Sequence, residues 1–476
     1  MSANPVSNFP APFADPLMRF VDRSRLPMRA FIFGLLLCGL LGGGVSAGAI
    51  EPGTAVLDTA TWQQLARIAP GASHPIAVFP LGTGVSGPIA FRRIEVYAPD
   101  ARIYRVDADG VHEVPRSTRA HLIGISADGA TRVGLSFDPA GADAPIGSGS
   151  GPAGPFVLNA RRQGADWVLT AVTPEAALPE GVTPQFTPNA DTAVAPDYVA
   201  PVLDLAGTTP AGAGYASMAV IAVDTDNELM SERFSNNTAQ ATAWIADLFA
   251  QMNITYQRDL NVTLVQGTTF LRTAADPYAN TDSPASQAQL TEFGNYWQAN
   301  YSSGANAVPR QFAMLLSGKS PSGNSASGIA WLNAYCRTAS SGGSYSVNQV
   351  FTNPGIGIPS SAFIVGHELG HNFGARHTHC ASAANGSGPT GTGTIDQCFR
   401  GESGCYAGTP VCPSSGPGAP RGSLMSYCHI GAPNGANCGQ NELQFHPTHA
   451  AQLRGLVAAN TPSCLRSELI FANGFQ

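Results

Sequence analysis

Eleven consecutive residues, His367-Glu368-Leu369-Gly370-His371-Asn372-Phe373-Gly374-Ala375-Arg376-His377, constrain this chain more than any other feature. They spell H-E-x-x-H-x-x-G-x-x-H. On a helix, His367 and His371 stand four apart and project from one face, so both imidazoles can reach one metal ion. Gly374 lets the chain leave that helix through a conformation that a β-carbon opposes, which can bring His377 round as a third nitrogen donor. Three histidines leave the fourth position of a tetrahedral zinc open, as in a catalytic site and not a structural one. Glu368 sits one residue along, within reach of a water at that position without being a ligand itself. A bare H-E-x-x-H can also stand on an ordinary surface helix; the glycine and the third histidine at their offsets favour the metal reading.

Downstream lies Ser423-Leu424-Met425-Ser426-Tyr427. With this turn the chain resembles the metzincin zinc endopeptidases, in which the long histidine motif is followed by a methionine-containing turn beneath the metal. The resemblance covers roughly residues 216–466. It implies that Met425 is an apolar floor under the histidines and that the site holds one zinc per chain. His-Glu-Leu-Gly-His followed by Asn-Phe-Gly, the Gly328 segment ending in Cys336 and a cysteine-rich lower half favour the adamalysin or reprolysin-like branch. Thr378 departs from it, standing where typical adamalysins carry an aspartate. The turn through Tyr427 instead resembles that of astacins and serralysins, whose tyrosine can approach the metal, so Tyr427 is a candidate stabiliser of the oxyanion. The implied fold is α/β, a twisted mixed sheet with a zinc helix and an irregular disulfide-rich lower subdomain, preceded by a β-rich propeptide. The implied function is hydrolysis of peptide bonds in proteins through a zinc-activated water, with Glu368 as general base. The alternatives are a non-cleaving zinc-binding adhesin or inhibitor-like module, which has no need of Glu368, and an amidase acting on cell-wall peptides. Calcium sites occur in the adamalysin branch, but Asp224 and Glu228 match them too weakly to assign one.

Composition narrows the partners. Charged residues make up only 12% of the chain, and the net charge is −7 without a basic run beyond the extreme N-terminus. Nucleic acid is therefore not an expected partner; protein or peptide substrates and a monomeric chain are. Arg19, Arg23, Arg25 and Arg29 precede an apolar stretch over residues 30–41, and Val45-Ser46-Ala47 offers small residues at cleavage offsets. This pattern predicts an export signal and a secreted protein, with no stable membrane insertion after its removal. Beyond the signal, Cys336, Cys380, Cys398, Cys405, Cys412, Cys428, Cys438 and Cys464 all fall in the C-terminal third. No C-x-x-C pair suggests a cysteine metal site, so they read as up to four disulfides, with 105 possible pairings. The resemblance points to one of these, Cys336 with Cys464.

These signals divide the chain into a signal peptide (1–49), a β-rich propeptide (50–173), a proline-rich linker (174–214), the zinc metalloprotease domain (215–466) and a C-terminal tail (467–476). Alternating polarity predicts strands over 92–97, 101–106, 156–158 and 166–170. Seven prolines between Pro174 and Pro210 argue against regular structure in the linker, where processing is expected. From Met218 the pattern predicts β-α-β-α-β-β. Strands run over 218–223, 262–264, 312–316 and 328–332, and helices are marked by Trp244, Ile245, Leu248, Phe249 and Met252, then by Leu290, Phe293 and Trp297. Within the resemblance, the strand at 328–332 is the edge along which an extended substrate pairs. Ser360 or Ser361 suits the N-cap of the zinc helix. Pro447 opens a last helix with Leu453, Leu456 and Val457 on one face. His379, His429, His446 and His449 read as surface or neighbouring residues and not as ligands. No cysteine lies between Cys38 and Cys336, so latency cannot use a thiol. It is expected instead from the region up to Thr173, by steric cover or through a carboxylate or His74, His112 or His121.

Overall fold

Two β-sheets share the long helix Thr238–Leu260 between them in a computed structural model that describes residues 51–141, 143–187, 193–198, 217–414 and 419–467. The expected signal peptide, most of the C-terminal tail and the end of the linker lie outside the described residues.

The first sheet is antiparallel throughout. Its order is Thr54–Leu57, Asp166–Val172, Gly154–Gln163, Ile146–Gly151, Arg132–Phe137, Ala120–Ser126, Val85–Arg93 and Ser73–Gly82. Its core gathers Trp62, Phe79, Phe91, Phe137 and Phe156. The central strands pack on the long helix so closely that a β-carbon at Gly134 would stand 2.7 Å from Ile254 Cδ1. Polar pairs lock the same junction: His121 Nε2 and Arg119 Nε each lie 3.1 Å from Asp247 Oδ1.

The second sheet is mixed. Its order is Gln185–Phe186, Ser325–Ala330, Tyr345–Gln349, Phe312–Ser317, Ser217–Thr225, Val262–Arg272, Ile103–Asp107 and Gly110–Val114. The five strands from Tyr345–Gln349 to Ile103–Asp107 run parallel, while Ser325–Ala330 is antiparallel to Tyr345–Gln349. Helices cover both faces. The apolar residues that recur at helical spacing in Thr238–Leu260 are buried, and Asn237 caps that helix through a bond to the Gln240 amide. Gln287–Tyr301 opens with a full capping box between Ser286 and Gln289, which satisfies two otherwise orphaned groups. Under it Asp224 accepts two bonds from Arg272, at 2.8 and 2.7 Å, and others from Tyr278 and Trp297. A carboxylate so occupied is not available to calcium.

Several elements depart from expectation. The helix Asn227–Phe234 and the strand Tyr345–Gln349 were not foreseen, and the pattern is β-α-α-β-α-β-β-β before the helix Ile358–Phe373. The hairpin Ile103–Val114, read as part of a separate propeptide, continues the second sheet. Despite its prolines, the linker supplies a strand at Gln185–Phe186 and a bridge at Ala193. Four disulfides form: Cys336–Cys464, Cys380–Cys405, Cys398–Cys428 and Cys412–Cys438. The last helix is Pro447–Ala459, with Leu453, Leu456 and Val457 buried.

Candidate active site

The helix Ile358–Phe373 carries the motif as far as Phe373, and every one of its residues from Ser360 on is buried. Its N-cap is Gly357, followed by Ile358 and Pro359, so Ser360 and Ser361 fall inside the first turn and do not cap it. Proline supplies a helical φ there and has no amide to leave orphaned. The helix ends as expected at Gly374, with φ of 109°. The amides of Gly374 and Ala375 bond back to the carbonyls of His371 and Gly370 at 2.8 and 2.9 Å. A side chain here would be strained by φ and would also meet Leu456 Cδ1 at 2.4 Å.

That exit turns His377 back toward the helix. The rings of His367 and His371 lie 4.8 Å apart, those of His371 and His377 4.7 Å. Each ring is held by its other nitrogen. Nδ1 of His367 donates to the Leu424 carbonyl at 2.8 Å, Nδ1 of His371 to the Ala375 carbonyl at 2.7 Å, and Nδ1 of His377 to Glu402 Oε2 at 2.6 Å. Carbonyls and carboxylates only accept, so the proton of each ring is on Nδ1 and each Nε2 presents a bare lone pair. Nε2 of His371 and of His377 face each other at 3.1 Å, close to the ~3.3 Å between two nitrogens on a tetrahedral zinc. Nε2 of His367 is buried with no hydrogen-bond partner. Converging lone pairs without a proton between them repel unless a cation sits among them, so these residues fit a metal. Burial holds His367 down to about 3 and His371 well below the ordinary imidazole value, keeping both neutral.

Glu368 points into the same space. Burial pushes its carboxyl well above the usual range, and Oε2 has no hydrogen-bond partner. Gly328 makes room for it: a β-carbon there would stand 2.4 to 2.5 Å from Glu368 Cγ, Cδ and Oε1. The turn at 423–427 serves three ways. Leu424 supplies the acceptor for His367; Met425 is fully buried beneath the helix, 2.7 Å from where a β-carbon on Gly370 would be; and Tyr427 lies with its ring centroid 4.3 Å from that of His377 and 5.7 Å from that of His367. Thr378, standing where an aspartate was expected, bonds Ser426 Oγ at 2.9 Å, and Ser426 in turn donates to Asp396 at 2.7 Å.

Glu402 escaped the sequence reading. It lies in an aperiodic loop 25 residues after His377, and only the fold brings it to that ring. It also accepts from His379 Nε2 at 3.0 Å. Burial alone would raise its carboxyl, but His377 and His379 outweigh that and hold it well below the ordinary range. Of the other histidines, His379 bonds Glu402, His429 pairs with Asn441, His446 caps the last helix and His449 is buried within it.

Gly328, His367, Glu368 and Tyr427 line a small pocket with Phe363, Ile364 and His429, and Phe186 and Thr187 of the linker complete its wall. Neither His74, His112 nor His121 lines it. His121 is committed to Asp247, and His112 lies beside Asp107 at 3.5 Å. Cover over the site therefore comes from the linker and not from those three histidines.

No curated protein matches the chain. Residues 216–429 match the family model Reprolysin_5, metallo-peptidase family M12. That span runs from the first strand of the second sheet past the turn beneath the histidines, and over it the chain is similar to the reprolysin-like metzincin metalloproteases.

Proposed function

We propose that this protein is a zinc-dependent endopeptidase, secreted, that hydrolyses peptide bonds within proteins. The observation that carries the reading is the cluster of three Nε2 lone pairs, each ring locked through Nδ1, beside the buried carboxyl group of Glu368, whose Oε2 has no hydrogen-bond partner. His367, His371 and His377 would hold the ion. When bound, zinc supplies a polarised scissile carbonyl and a water of lowered pKa.

The chain's own residues supply the rest. Glu368 accepts the proton of the attacking water at its free carboxylate oxygen and returns it to the leaving amine. Its position between Gly328 and the histidines confines it to that task. Tyr427, beside His367 and His377, is the candidate phenol donor to the developing oxyanion. The strand Ser325–Ala330 offers its edge to an extended peptide, so main-chain pairing would position substrates of many sequences. Four disulfides, and the absence among the described residues of any helix long and apolar enough to cross a membrane, are consistent with export.

The direct test digests an unfolded protein with the activated enzyme, with and without a chelator, and sequences the new termini. Internal cuts that vanish with chelator and return with zinc are expected. Zinc binding at one ion per chain without any cut would move the protein to the class of non-cleaving zinc-binding modules.

A further inference from the structure

A second cavity, about 500 Å³ in volume, lies away from the histidines, where the first sheet meets the long helix and the cysteine-rich loops. Three arginines line it, each brought by a different part of the fold. Arg132 comes from the strand Arg132–Phe137, Arg258 from the last turn of the helix Thr238–Leu260, and Arg421 from the loop that leads into the turn at 423–427. The turn at 151–154, together with Gly129 and Ala130, completes the wall on the side of the first sheet.

Two of these cations already have counterions. Arg258 grips Asp259 through Nε and Nη2 at 2.6 and 2.8 Å, and its Nη2 also donates to the Leu443 carbonyl. Arg421 Nη1 donates to Glu442 Oε1 at 2.9 Å, and Ser150 Oγ donates to Glu442 Oε2 at 3.0 Å. Arg132 has no such partner: among the described residues its guanidinium makes no hydrogen bond and no ion pair. The charges that act on it are those of Arg258, Arg92 and Asp259, and Asp259 is already bound to Arg258. Burial first, and the like charge of Arg258 second, hold the Arg132 guanidinium below its ordinary pKa. Asp128 in the adjoining turn is folded onto its own loop, accepting from Ser126 Oγ at 2.5 Å and from the Ala130 amide at 3.0 Å. Around the cavity four guanidinium groups therefore stand against two carboxylates, in a chain whose net charge is −7. A half-buried cation with five donors and no acceptor is costly unless an anion from outside completes it.

We propose that this cavity binds a phosphate or sulfate group, free or carried by a small organic molecule, held by the fork of Arg132 and by the donors that Arg258 and Arg421 have left. A guanidinium fork matches two oxygens of such a group. A tetrahedral dianion suits an excess of two positive charges, which a single carboxylate would only half neutralise. The volume is that of a small-molecule site. Because the three arginines come from the first sheet, the shared helix and the cysteine-rich loops, the bound anion ties these parts together and stabilises their junction. The inference is independent of the endopeptidase reading.

The test titrates the full chain with inorganic phosphate and with sulfate by calorimetry at constant ionic strength, with acetate as the monovalent comparison. Both dianions should bind and raise the melting temperature; acetate should do neither. Arg132→Gln should weaken phosphate by about tenfold or more, the loss expected for a charge-assisted pair. Arg161→Gln, which removes an exposed arginine elsewhere on the first sheet, should leave the affinity unchanged. Without phosphate, Arg132→Gln should melt no lower than the parent, because the group it removes has no partner; a purely structural arginine would cost stability. Glycerol phosphate separates the two sources: tighter binding than inorganic phosphate identifies an organic ligand, and weaker or equal binding identifies the free ion. Phenylglyoxal should label Arg132 of the parent without phosphate and spare it with phosphate, as read by mass spectrometry. Failure of both dianions to bind, or equal affinity in parent and Arg132→Gln, overturns the proposal. Should that variant not fold, labelling of Arg132 in the parent that phosphate leaves unchanged overturns it as well.

Discussion

Replacing Gly328 with alanine adds one methyl group and should slow the enzyme about a hundredfold. Gly328 lies in ordinary extended backbone, so alanine is not strained there; the cost is purely one of space. The new carbon would stand 2.4 Å from Glu368 Cγ and 2.5 Å from Cδ, whereas carbon atoms rest about 3.5 Å or more apart. Something must move by about 1 Å. Glu368 is buried on a helix whose position is set by packing on all sides, so its carboxylate is the group with freedom to turn. A base displaced by 1 Å loses about 10²-fold in rate, or about 2.7 kcal/mol of transition-state stabilisation. The three histidines touch neither atom set, so zinc content should remain one per chain. The assay is kcat on a peptide substrate, with zinc measured by elemental analysis and the melting temperature recorded alongside. A lower kcat at unchanged zinc and similar melting temperature is expected. Near-parental kcat would refute the claim that Gly328 exists to seat the base. A large fall in melting temperature at normal kcat would show that the edge strand yields instead.

Glu368→Gln keeps the side-chain size and the three nitrogens but cannot accept a proton, so it should bind one zinc and cleave at least roughly a hundredfold more slowly, whereas His371→Ala should lose both zinc and activity; near-full activity in the first would remove the general-base role. Tyr427→Phe should lower turnover about tenfold with zinc content and KM unchanged, and unchanged turnover would make the ring a packing element. Glu402→Ala should weaken zinc affinity in chelator competition by roughly 10- to 100-fold, because His377 loses the acceptor that orients it; Glu402→Gln should recover much of that. Asp226 is fully buried and its carboxyl is pushed up to about 7 by burial, from 3.8. It is protonated in the fold below that value, so the stability tied to it is full below about pH 4 and is lost as pH rises toward 7. The melting temperature of Asp226→Asn relative to the parent should therefore climb between pH 4 and pH 7, and a flat difference would contradict the assignment.

What could be read from the sequence, and what could not, follows from the range of the interactions. The helix with His367 and His371, the exit at Gly374 and the final helix are local patterns, set within one or two turns, and they stand where the sequence places them. Met425 and the Cys336–Cys464 pair were accessible only through the resemblance, since nothing local distinguishes Met425 from core filler or chooses among 105 pairings. Glu402 had no signal: one carboxylate in an aperiodic loop is like any other until the fold brings it to His377. The strand Tyr345–Gln349 hid because Ser346, Asn348 and Gln349 look exposed. They are buried and have polar partners: Asn348 Nδ2 donates to the Leu315 carbonyl and to Ser346 Oγ, and Gln349 accepts from Ser327. Alternation likewise marks 103–107 as a strand but cannot say which sheet it joins, because that depends on pairing with residues 269–272.

The N-terminal part of the chain meets the protease sheet at both of its edges, and the two meetings differ in kind. At one edge the hairpin Ile103–Val114 adds two strands of five residues, and Ile94, Val96, Ile103 and Ile123 belong to the same core as Ile221, Phe249 and Leu264. Losing that contact would open a shared core and leave the strand Val262–Arg272 with an exposed flank. At the other edge the added strand is two residues long, its side chains are exposed or half-buried, and its anchor is one aromatic ring. The free energy of release must be far smaller there. Residues 174–184 connect that strand to the first sheet and are for the most part exposed, so a protease can reach the chain just before the part that covers the site. A single cut there frees the N-terminal end of the covering strand while the hairpin remains fixed by the core. Removing that strand is thus separable from dismantling the fold: the weaker attachment lies at the candidate site and the stronger one away from it.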